Sequence, residues 1–282
     1  MSTKRVSRSA AGNFFITLFV LMFAAFMMLP IYYTIINSLK PINELFYFPP
    51  RFYVTNPTLE NFVNLIKMQA QSEVPFERYL FNSVFTSVIS TVGYVFLASM
   101  AAYPLAKHNF PCKKLIINLV VIAIMFRPEV TSIPQYMIMS GLGLIDTFAS
   151  IILPAMSGSF GVFLLMQFMG SIPNEIIESC RLDGAGEIQT FWRIILPMVK
   201  PAWMTVVIFT FVGIWGATGS QFIYSEDKKM LITMLSNFTS SGIAMAGVSA
   251  AVGVVMLLPP VIVFLFSQRS VVETMAYSGL KG

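Results

Sequence analysis

Long apolar runs separated by short polar segments dominate the chain. A helix needs about 20 apolar residues to cross the hydrocarbon core of a bilayer. Six stretches meet that length, and five of them contain no Asp, Glu, Lys or Arg. The predicted spans are residues 14–36, 83–106, 115–138, 148–169, 202–224 and 247–267. The pattern predicts an all-α integral membrane protein, a six-helix transmembrane bundle forming a single domain over residues 1–282.

Composition narrows the function classes. The chain is 56% hydrophobic and 11% charged, whereas soluble domains are roughly 25% charged. The chain lacks a basic run with interleaved aromatic residues, the pattern that indicates nucleic-acid binding. It also lacks a phosphate-binding G-x-x-x-x-G-K-[ST] loop. The single histidine, His108, has no carboxylate close in sequence, and we interpret it as a solvated loop residue. The sequence therefore predicts a non-enzyme that holds no cofactor or metal of its own.

The distribution of basic residues predicts the orientation in the membrane. Six spans place both termini on the same side. Eleven of the 18 Lys and Arg residues lie on that side, and the positive-inside rule assigns the richer side to the cytoplasm. We therefore expect a cytoplasmic loop at residues 171–200, a cytoplasmic tail at residues 269–282 and an outer loop at residues 38–82.

The loop at residues 171–200 has the pattern of two short helices joined by a hinge. Pro173 suits a first helical turn, and Ser171 before it can act as a cap. Asp183-Gly184 predicts a turn, because glycine accepts backbone angles that other residues avoid. After the turn, an amphipathic helix closed by Pro197 is predicted. Its apolar positions are Ile188, Phe191, Trp192 and Ile195.

The same loop resembles the EAA loop found in membrane subunits of binding-protein-dependent ABC importers. Glu178-Ser179-Cys180, Gly184, Ile194 and Leu196-Pro197 match its spacing, with Ser-Cys where the family usually has Ala-Ala. The resemblance implies that Glu178 makes an ionic contact with a cytoplasmic ATPase and that Gly184 is the hinge. The alternative is an amphipathic surface loop without a partner. The ATPase-coupling residues that the resemblance implies are Glu178, Ser179, Cys180, Arg181, Asp183, Gly184, Ile194, Leu196 and Pro197.

Other segments resemble the carbohydrate branch of that family, the maltose-transporter-type permeases. They are N-S-L-K-P at residues 37–41, P-T-L-E-N-F at residues 57–62 and the final G-L-K-G. The resemblance implies a sugar or oligosaccharide substrate and a bacterial-type cell membrane. It also implies three kinds of partner: a second, different permease, two ATPase subunits that bind ATP and Mg, and an extracytoplasmic solute-binding protein. The outer loop then either meets that protein or merely covers the bundle, and the tail either contacts the ATPases or is a frayed end.

A few polar residues in the spans are candidates for the substrate pathway. Arg127 and Glu129 flank Pro128 in the third span, where charges mark either the pathway or the outer interface. Ser159 lies among small residues that serve either close helix packing or substrate contact. Relatives often have W-N-D-F where this chain has Trp215-Gly216-Ala217, so inherited contacts there are in doubt. The candidate pathway residues are Arg127, Glu129, Ser159, Trp215 and Gln221.

We therefore predict a permease subunit that forms half of the translocation pathway of an ATP-driven sugar importer. The rival hypotheses are a secondary carrier that needs no ATPase, an importer permease for a non-sugar solute, and a membrane enzyme or scaffold. A proton-driven carrier usually needs buried titratable groups, and Glu129 is the one carboxylate within the predicted spans.

Overall fold

A computed structural model describes residues 10–70, 73–240 and 242–279, and within these residues the fold is helical with no strand. A π-helical turn lies at Phe191–Ile195, and 3₁₀ turns lie at Glu226–Lys228 and Ile243–Met245. The α-helices are α1 (Ala10–Leu39), α2 (Ile42–Leu45), α3 (Glu60–Ala70), α4 (Phe76–Lys107), α5 (Lys113–Met125), α6 (Pro128–Gly141), α7 (Ala149–Met156), α8 (Ser159–Gly170), α9 (Asn174–Leu182), α10 (Glu187–Thr190), α11 (Leu196–Met198), α12 (Lys200–Trp215), α13 (Leu231–Ser240) and α14 (Ala246–Gly279).

Four described helical stretches are long and apolar enough to cross a membrane by length and composition. They are Ala11–Leu39, Phe76–Lys107, Ala149–Gly170 and Ala246–Arg269. Two bent helix pairs raise the number to as many as six if each pair is one span. The all-α membrane bundle predicted from the sequence is confirmed.

The third predicted span, residues 115–138, is not one straight helix. Lys113–Met125 and Glu129–Gly141 meet at an angle of 110°. Arg127 between them has extended backbone angles, φ −78° and ψ 145°. Proline disfavours helical angles in the residue before it, so Pro128 ends one helix and begins the next.

The fifth predicted span, residues 202–224, also differs from the structure. Its helix, α12, ends at Trp215, and the chain then forms turns that include Gly219 with φ +63°. Glycine adopts this left-handed region at no steric cost. Hydropathy alone does not register such turns, because residues 216–224 contain no charged residue.

The larger of two compact units comprises the described parts of Gln69–Ser236 and Met256–Gly282. Within it α4 packs against α7, α8 and α12, and α8 also packs against α5. The core contains Leu165, Met169, Ile195 and Ala202, each 0% exposed. Because Ile195 belongs to the loop at residues 171–200, the loop is anchored in the same core as the spans.

A close contact joins α4 to the break between α7 and α8. The backbone N–H of Gly161 donates a hydrogen bond to the hydroxyl oxygen of Tyr94 at 2.6 Å. A Cβ on Gly161 would lie 2.7 Å from that oxygen, as would a Cβ on Gly158. Both glycines are therefore required for helix approach, which favours packing over substrate contact for the small residues around Ser159.

The smaller unit comprises the described parts of Met1–Met68 and Asn237–Val255. Its helix α1 is exposed along the whole apolar window of the span. The side-chain amide of Asn61 on α3 donates to the carbonyls of Ser38 at 2.9 Å and Lys40 at 2.7 Å. Gly247 lies against this amide, since a Cβ there would be 2.3 Å from Asn61 Oδ1. Asn61 thus fixes α3 to the segment that follows α1.

Candidate functional site

The hairpin, defined as residues 171–200, begins with helix α9. Pro173 occupies the position just before the helix, with φ −59° and ψ 141°. The hydroxyl of Ser171 donates to the carbonyl of Phe168 at 2.7 Å, so it closes α8. The predicted cap by Ser171 is therefore wrong. Glu175 lies in the first turn of α9, where the helix dipole favours an anion.

The turn predicted at Asp183-Gly184 is confirmed, and its hydrogen bonds define a Schellman motif. Gly184 has φ +82°. Its N–H donates to the carbonyl of Arg181 at 3.1 Å, and the N–H of Ala185 donates to the carbonyl of Cys180 at 2.9 Å. These are the two bonds that satisfy the last carbonyls of a helix ending in a left-handed glycine. Gly184 is thus a fixed turn between the two legs of the hairpin.

The second leg is less regular than the amphipathic pattern predicts. Phe191 and Ile195 are buried, but Ile188 is 77% and Trp192 43% exposed. The π-helical turn at Phe191–Ile195 takes more residues per turn than an α-helix, so later side chains move to another face. The pattern therefore predicts only half of the buried stripe.

Pro197 does not close the second leg, contrary to prediction. The helical segment Glu187–Met198 continues through it and meets Lys200–Trp215 at an angle of 76°. Pro197 lies in α11, which follows the π-helical turn without a break. The leg ends instead at Val199, whose side chain is 2% exposed.

The tip of the hairpin exposes apolar side chains. Leu182 is 90% exposed on one side of the turn, and Ile188 is 77% exposed on the other. An open groove of about 660 Å³ lies beside the tip, lined by Gly186, Glu187, Ile188, Gln189, Trp192 and Arg193. This apolar surface is accessible for contact with another molecule.

The residues predicted for ATPase coupling fall into two groups. Cys180 is a buried free thiol, and Ile194 and Leu196 are half-buried. Those that are exposed are Glu178, Ser179, Arg181, Asp183, Gly184 and Pro197. The exposed group includes the two carboxylates of the set, Glu178 and Asp183. The buried and half-buried group packs the hairpin against the rest of the protein.

Glu187 is central to the hairpin, and sequence reasoning missed it. Its Oε1 accepts a hydrogen bond from Arg181 Nε at 3.1 Å, which joins the two legs. Its Oε2 accepts from the hydroxyl of Tyr103 at 2.9 Å. His108 Nε2 lies 3.4 Å from the same oxygen. The interpretation of His108 as a solvated loop residue is therefore wrong, because the fold brings a carboxylate beside it.

Lys107 holds the first leg. Its ammonium group donates to the carbonyl of Ile172 and to Oδ1 of Asn174 at 3.1 Å. Tyr103 and Lys107 are one turn apart at the end of α4. A tyrosine and a lysine one turn apart at the end of this helix are the sequence signal that would have indicated an anchor for a cytoplasmic loop.

The candidate pathway residues are not assembled into one polar site. Trp215 is 3% exposed, its indole N–H donates to the carbonyl of Met256 at 2.9 Å, and its ring stacks on Phe211 with centroids 5.8 Å apart. Arg127, Glu129 and Gln221 are exposed, and Ser159 is half-buried at the start of α8. In the part of the chain that the structure describes, no side-chain hydrogen bond or ion pair joins any two of these five. Their role in a pathway stays a prediction.

A separate charged cluster fixes the loop after α12. The carboxylate of Asp146 accepts from the backbone N–H groups of Tyr224 at 3.0 Å and Ser225 at 2.9 Å, and from the hydroxyl of Ser225. Lys228 Nζ lies 3.0 Å from the same carboxylate. The Ser225 hydrogen bonds first, then those of Tyr224 and Lys228, hold the pKa of Asp146 well below its ordinary value.

Residues of α4 form hydrogen bonds with the next part of the loop after α12. Tyr79 donates to Glu226 Oε1 at 2.6 Å, and the amide of Asn82 donates to the carbonyls of Asp227 at 2.9 Å and Lys229 at 3.0 Å. The ammonium group of Lys229 also donates to Glu226. The Lys229 and Tyr79 hydrogen bonds lower the pKa of Glu226.

Comparison with known proteins decides the family. Residues 9–277 match the family described as the inner membrane component of binding-protein-dependent transport systems. The chain belongs to this family. As such an inner membrane component it is a transport subunit, and its long apolar helices agree with that description.

Two relatives from Bacillus subtilis (strain 168) are similar to this inner membrane component over most of its length. The arabinooligosaccharides transport system permease protein AraQ is 29% identical over 273 residues, covering 95% of each chain. Protein LplC is 32% identical over 279 residues, covering 92% of this chain and 90% of its own. The sn-glycerol-3-phosphate transport system permease protein UgpE of Brucella suis biovar 1 (strain 1330) is 26% identical over 250 residues, covering 85% and 87%.

The fold is also that of a solved transporter chain. A chain of a bacterial ABC transporter involved in the import of the acidic polysaccharide alginate matches with a TM-score of 0.79 and 20% identity, covering 93% of this chain and 98% of that one. The inner membrane component therefore has an ABC importer permease fold.

Proposed function

We propose that the chain is the permease subunit of an ATP-driven importer for a sugar or oligosaccharide and forms half of its translocation pathway. A separate cytoplasmic ATPase, which binds ATP and Mg, drives it through the hairpin at residues 171–200. A second, different permease completes the pathway, and an extracytoplasmic solute-binding protein delivers the solute. The chain lies in a bacterial-type cell membrane with both termini in the cytoplasm.

The hairpin supports the proposal because it combines an exposed apolar tip with a rigid attachment to α4. Its tip exposes Leu182 and Ile188, while Lys107 and Tyr103 hold its two legs at the end of α4. In a loop that binds no partner, exposing these apolar side chains to water would not stabilise the protein. Such a loop would also not need to be held rigidly to α4. A rigid attachment with an apolar tip suits a surface that receives force from another subunit and passes it to the spans.

The charges around the tip support an ionic contact with the partner. Glu178 is exposed on α9, and no described side chain forms a hydrogen bond or ion pair with it. Arg181, one turn away, is instead held by Glu187. A basic residue in a cleft of the ATPase would therefore find the carboxylate of Glu178 accessible.

The solute class rests on the relatives. AraQ is named for arabinooligosaccharides, which supports a carbohydrate. UgpE is named for sn-glycerol-3-phosphate, and this favours a polyol phosphate as the second candidate. Competition between labelled oligosaccharides and glycerol phosphate for uptake into cells that express the complete system separates the two.

Copurification and transport test the function. In gentle detergent the chain should retain a nucleotide-binding subunit, and proteoliposomes of the assembled complex should take up solute only when ATP is supplied. Uptake driven by an ion gradient alone would favour a secondary carrier, and a complex without an ATPase would contradict the proposal.

A further inference from the structure

The segment that follows α1 buries charged side chains and exposes aromatic ones, the reverse of an ordinary surface loop. Its charged side chains are buried: Lys40 is 2% exposed and Glu44 7%. Phe48 at its end is 95% exposed. Soluble surfaces show the reverse, since lysine and glutamate are rarely buried fully unless paired.

The buried charges rigidify this segment. The carboxylate of Glu44 accepts the backbone N–H groups of Thr55 at 3.1 Å and Asn56 at 2.9 Å. The ammonium group of Lys40 donates to Asn37 Oδ1 at 3.1 Å and to the carbonyl of Arg51. The aromatic loop, defined as residues 46–53, is therefore closed and held from within. Its exposed rings are Phe46, Tyr47, Phe48, Phe52 and Tyr53.

The aromatic loop folds back along α1. The hydroxyl of Tyr32 donates to the carbonyl of Phe52 at 3.1 Å, and the Phe52 ring lies 5.5 Å from that of Tyr33. Since α1 ends at Leu39 and a helix rises 1.5 Å per residue, this contact lies about 10 Å back from the helix end, toward the middle of the span. The loop is thus directed at the bilayer and not away from it.

The neighbouring surfaces are continuous with this position. The apolar window of α1 is exposed along its whole length. Helix α3 is fixed by Asn61 to the segment after α1. It also presents apolar residues outward, with Val63 at 44% and Ile66 at 54%, and Leu59 just before it is 64% exposed. Span, aromatic loop and α3 therefore form one apolar surface that ends in aromatic side chains, as at a membrane–water interface.

Arg51 fits the polar side of such an interface. Its guanidinium group lies 4.6 Å from the centroid of the Tyr47 ring and 5.8 Å from that of Tyr53. It is the exposed charge of the aromatic loop. A cation held over amphipathic rings can meet a lipid phosphate while the rings enter the headgroup region.

We propose that the aromatic loop inserts its rings into the lipid interface beside α1, with Arg51 at a phospholipid phosphate. The leaflet is the outer one if both termini are cytoplasmic, but the lipid contact does not depend on that orientation or on the transported solute. The loop then holds the first span at a fixed depth and is not a docking site for the solute-binding protein.

Photocrosslinking in native membranes that contain the whole importer tests this inference. p-Benzoyl-phenylalanine replaces Phe48 in one variant and Asn56 in a matched control. Asn56 lies just beyond the aromatic loop and is also exposed. Mass spectrometry of the adducts should find lipid on residue 48, on the order of tenfold more than on residue 56, because aromatic side chains concentrate at the interface. Equal lipid yields, or an adduct mainly with the solute-binding protein or second permease, would overturn it.

A second measurement separates lipid from protein contact. Phe48→Ser removes a side chain that is 95% exposed, so folding should be unaffected. The concentration of solute-binding protein that half-stimulates ATP hydrolysis in detergent should change by less than about twofold, as for a surface substitution. A rise of roughly tenfold, or about 1.4 kcal/mol, would assign the aromatic loop to the binding protein instead.

Discussion

Tyr103 and Lys107 lie one helical turn apart at the end of α4 and hold opposite legs of the hairpin. Tyr103 reaches Glu187 on the second leg, and Lys107 reaches Ile172 and Asn174 at the foot of the first. Both legs therefore follow α4 when it moves.

Tyr103→Phe should loosen the hairpin without unfolding the bundle. The substitution removes the hydrogen bond to Glu187 but keeps the ring that packs on Phe191 at 5.3 Å. The expected loss is about 1 kcal/mol, seen as faster hydrogen exchange of the backbone around Glu187. Phe110→Leu, a change beside the core without a polar contact, is the control. Equal exchange rates in wild type and Tyr103→Phe would show that Glu187 does not depend on α4.

Glu178→Lys should abolish coupled uptake while the protein still inserts in the membrane. The carboxylate is exposed and is the residue proposed to meet a basic group of the ATPase, so reversal of its charge makes the contact repulsive. The readouts are ATP-dependent solute uptake and retention of the ATPase during purification. Glu175→Lys, one turn earlier on the exposed side of α9, is the matched control and should have the smaller effect. Undiminished uptake by Glu178→Lys would remove the residue from the coupling surface.

Gly184→Val should destabilise the hairpin through its backbone alone. Nothing lies within 4 Å of a Cβ built at this position, but φ is +82°. A β-branched residue in the left-handed region costs roughly 1–3 kcal/mol. The measurement is ATPase retention together with limited proteolysis of the loop.

Gly186→Val provides the control for that strain. Gly186 is two residues away, its Cβ would also meet open space, and its φ of −71° suits any residue. If both valine variants behave alike, the left-handed turn is not what the hairpin requires.

Gly161→Ala should lower the thermal stability of the purified protein. The new Cβ would lie 2.7 Å from the Tyr94 hydroxyl oxygen and 3.0 Å from Val206 Cγ1, and overpacking of this kind costs about 1–3 kcal/mol. Gly170→Ala on the same helix, α8, has no atom within 4 Å of its Cβ and should leave the unfolding temperature unchanged or raised. An unfolding temperature that Gly161→Ala does not lower would contradict the close approach of α4 and α8.

Asp146→Asn should weaken the loop after α12 at neutral pH. The folded-state pKa of Asp146 is depressed, chiefly by the hydrogen bonds from Ser225. Its contribution to stability is therefore complete above the unfolded-state pKa of about 4 and is lost as the pH falls through the lower folded-state value.

The pH profile distinguishes this contribution from a steric effect. Asparagine accepts the left-handed angles of the site, where φ is +61°, so Asp146→Asn removes the charge without straining the backbone. The difference in unfolding temperature between wild type and variant should be present at pH 7 and shrink below about pH 4. A difference that is constant with pH would assign the effect to packing.

The sequence predicts those parts of the fold that depend on local properties. Apolar run length locates four of the six predicted spans as helical stretches, because crossing a bilayer is a requirement on one helix at a time. Gly184 predicts the turn of the hairpin for the same reason, since its left-handed backbone is a property of one residue.

The sequence does not predict contacts between distant residues or changes of helical period. Glu187 and Tyr103 are 84 residues apart, and nothing near either one indicates the other. The π-helical turn at Phe191–Ile195 breaks the periodicity on which the amphipathic prediction depends. The end of α12 at Trp215 is missed because the turns that follow it contain no charged residue.

The corner at Val199 sets the direction in which a load on the hairpin is passed on. Glu187–Met198 and Lys200–Trp215 meet at 76°, close to a right angle. A push along the axis of the first segment therefore acts mainly across the axis of the second, and it exerts a torque on α12 instead of sliding it lengthwise. A small displacement of the first segment would then tilt α12, most at the end farthest from the corner.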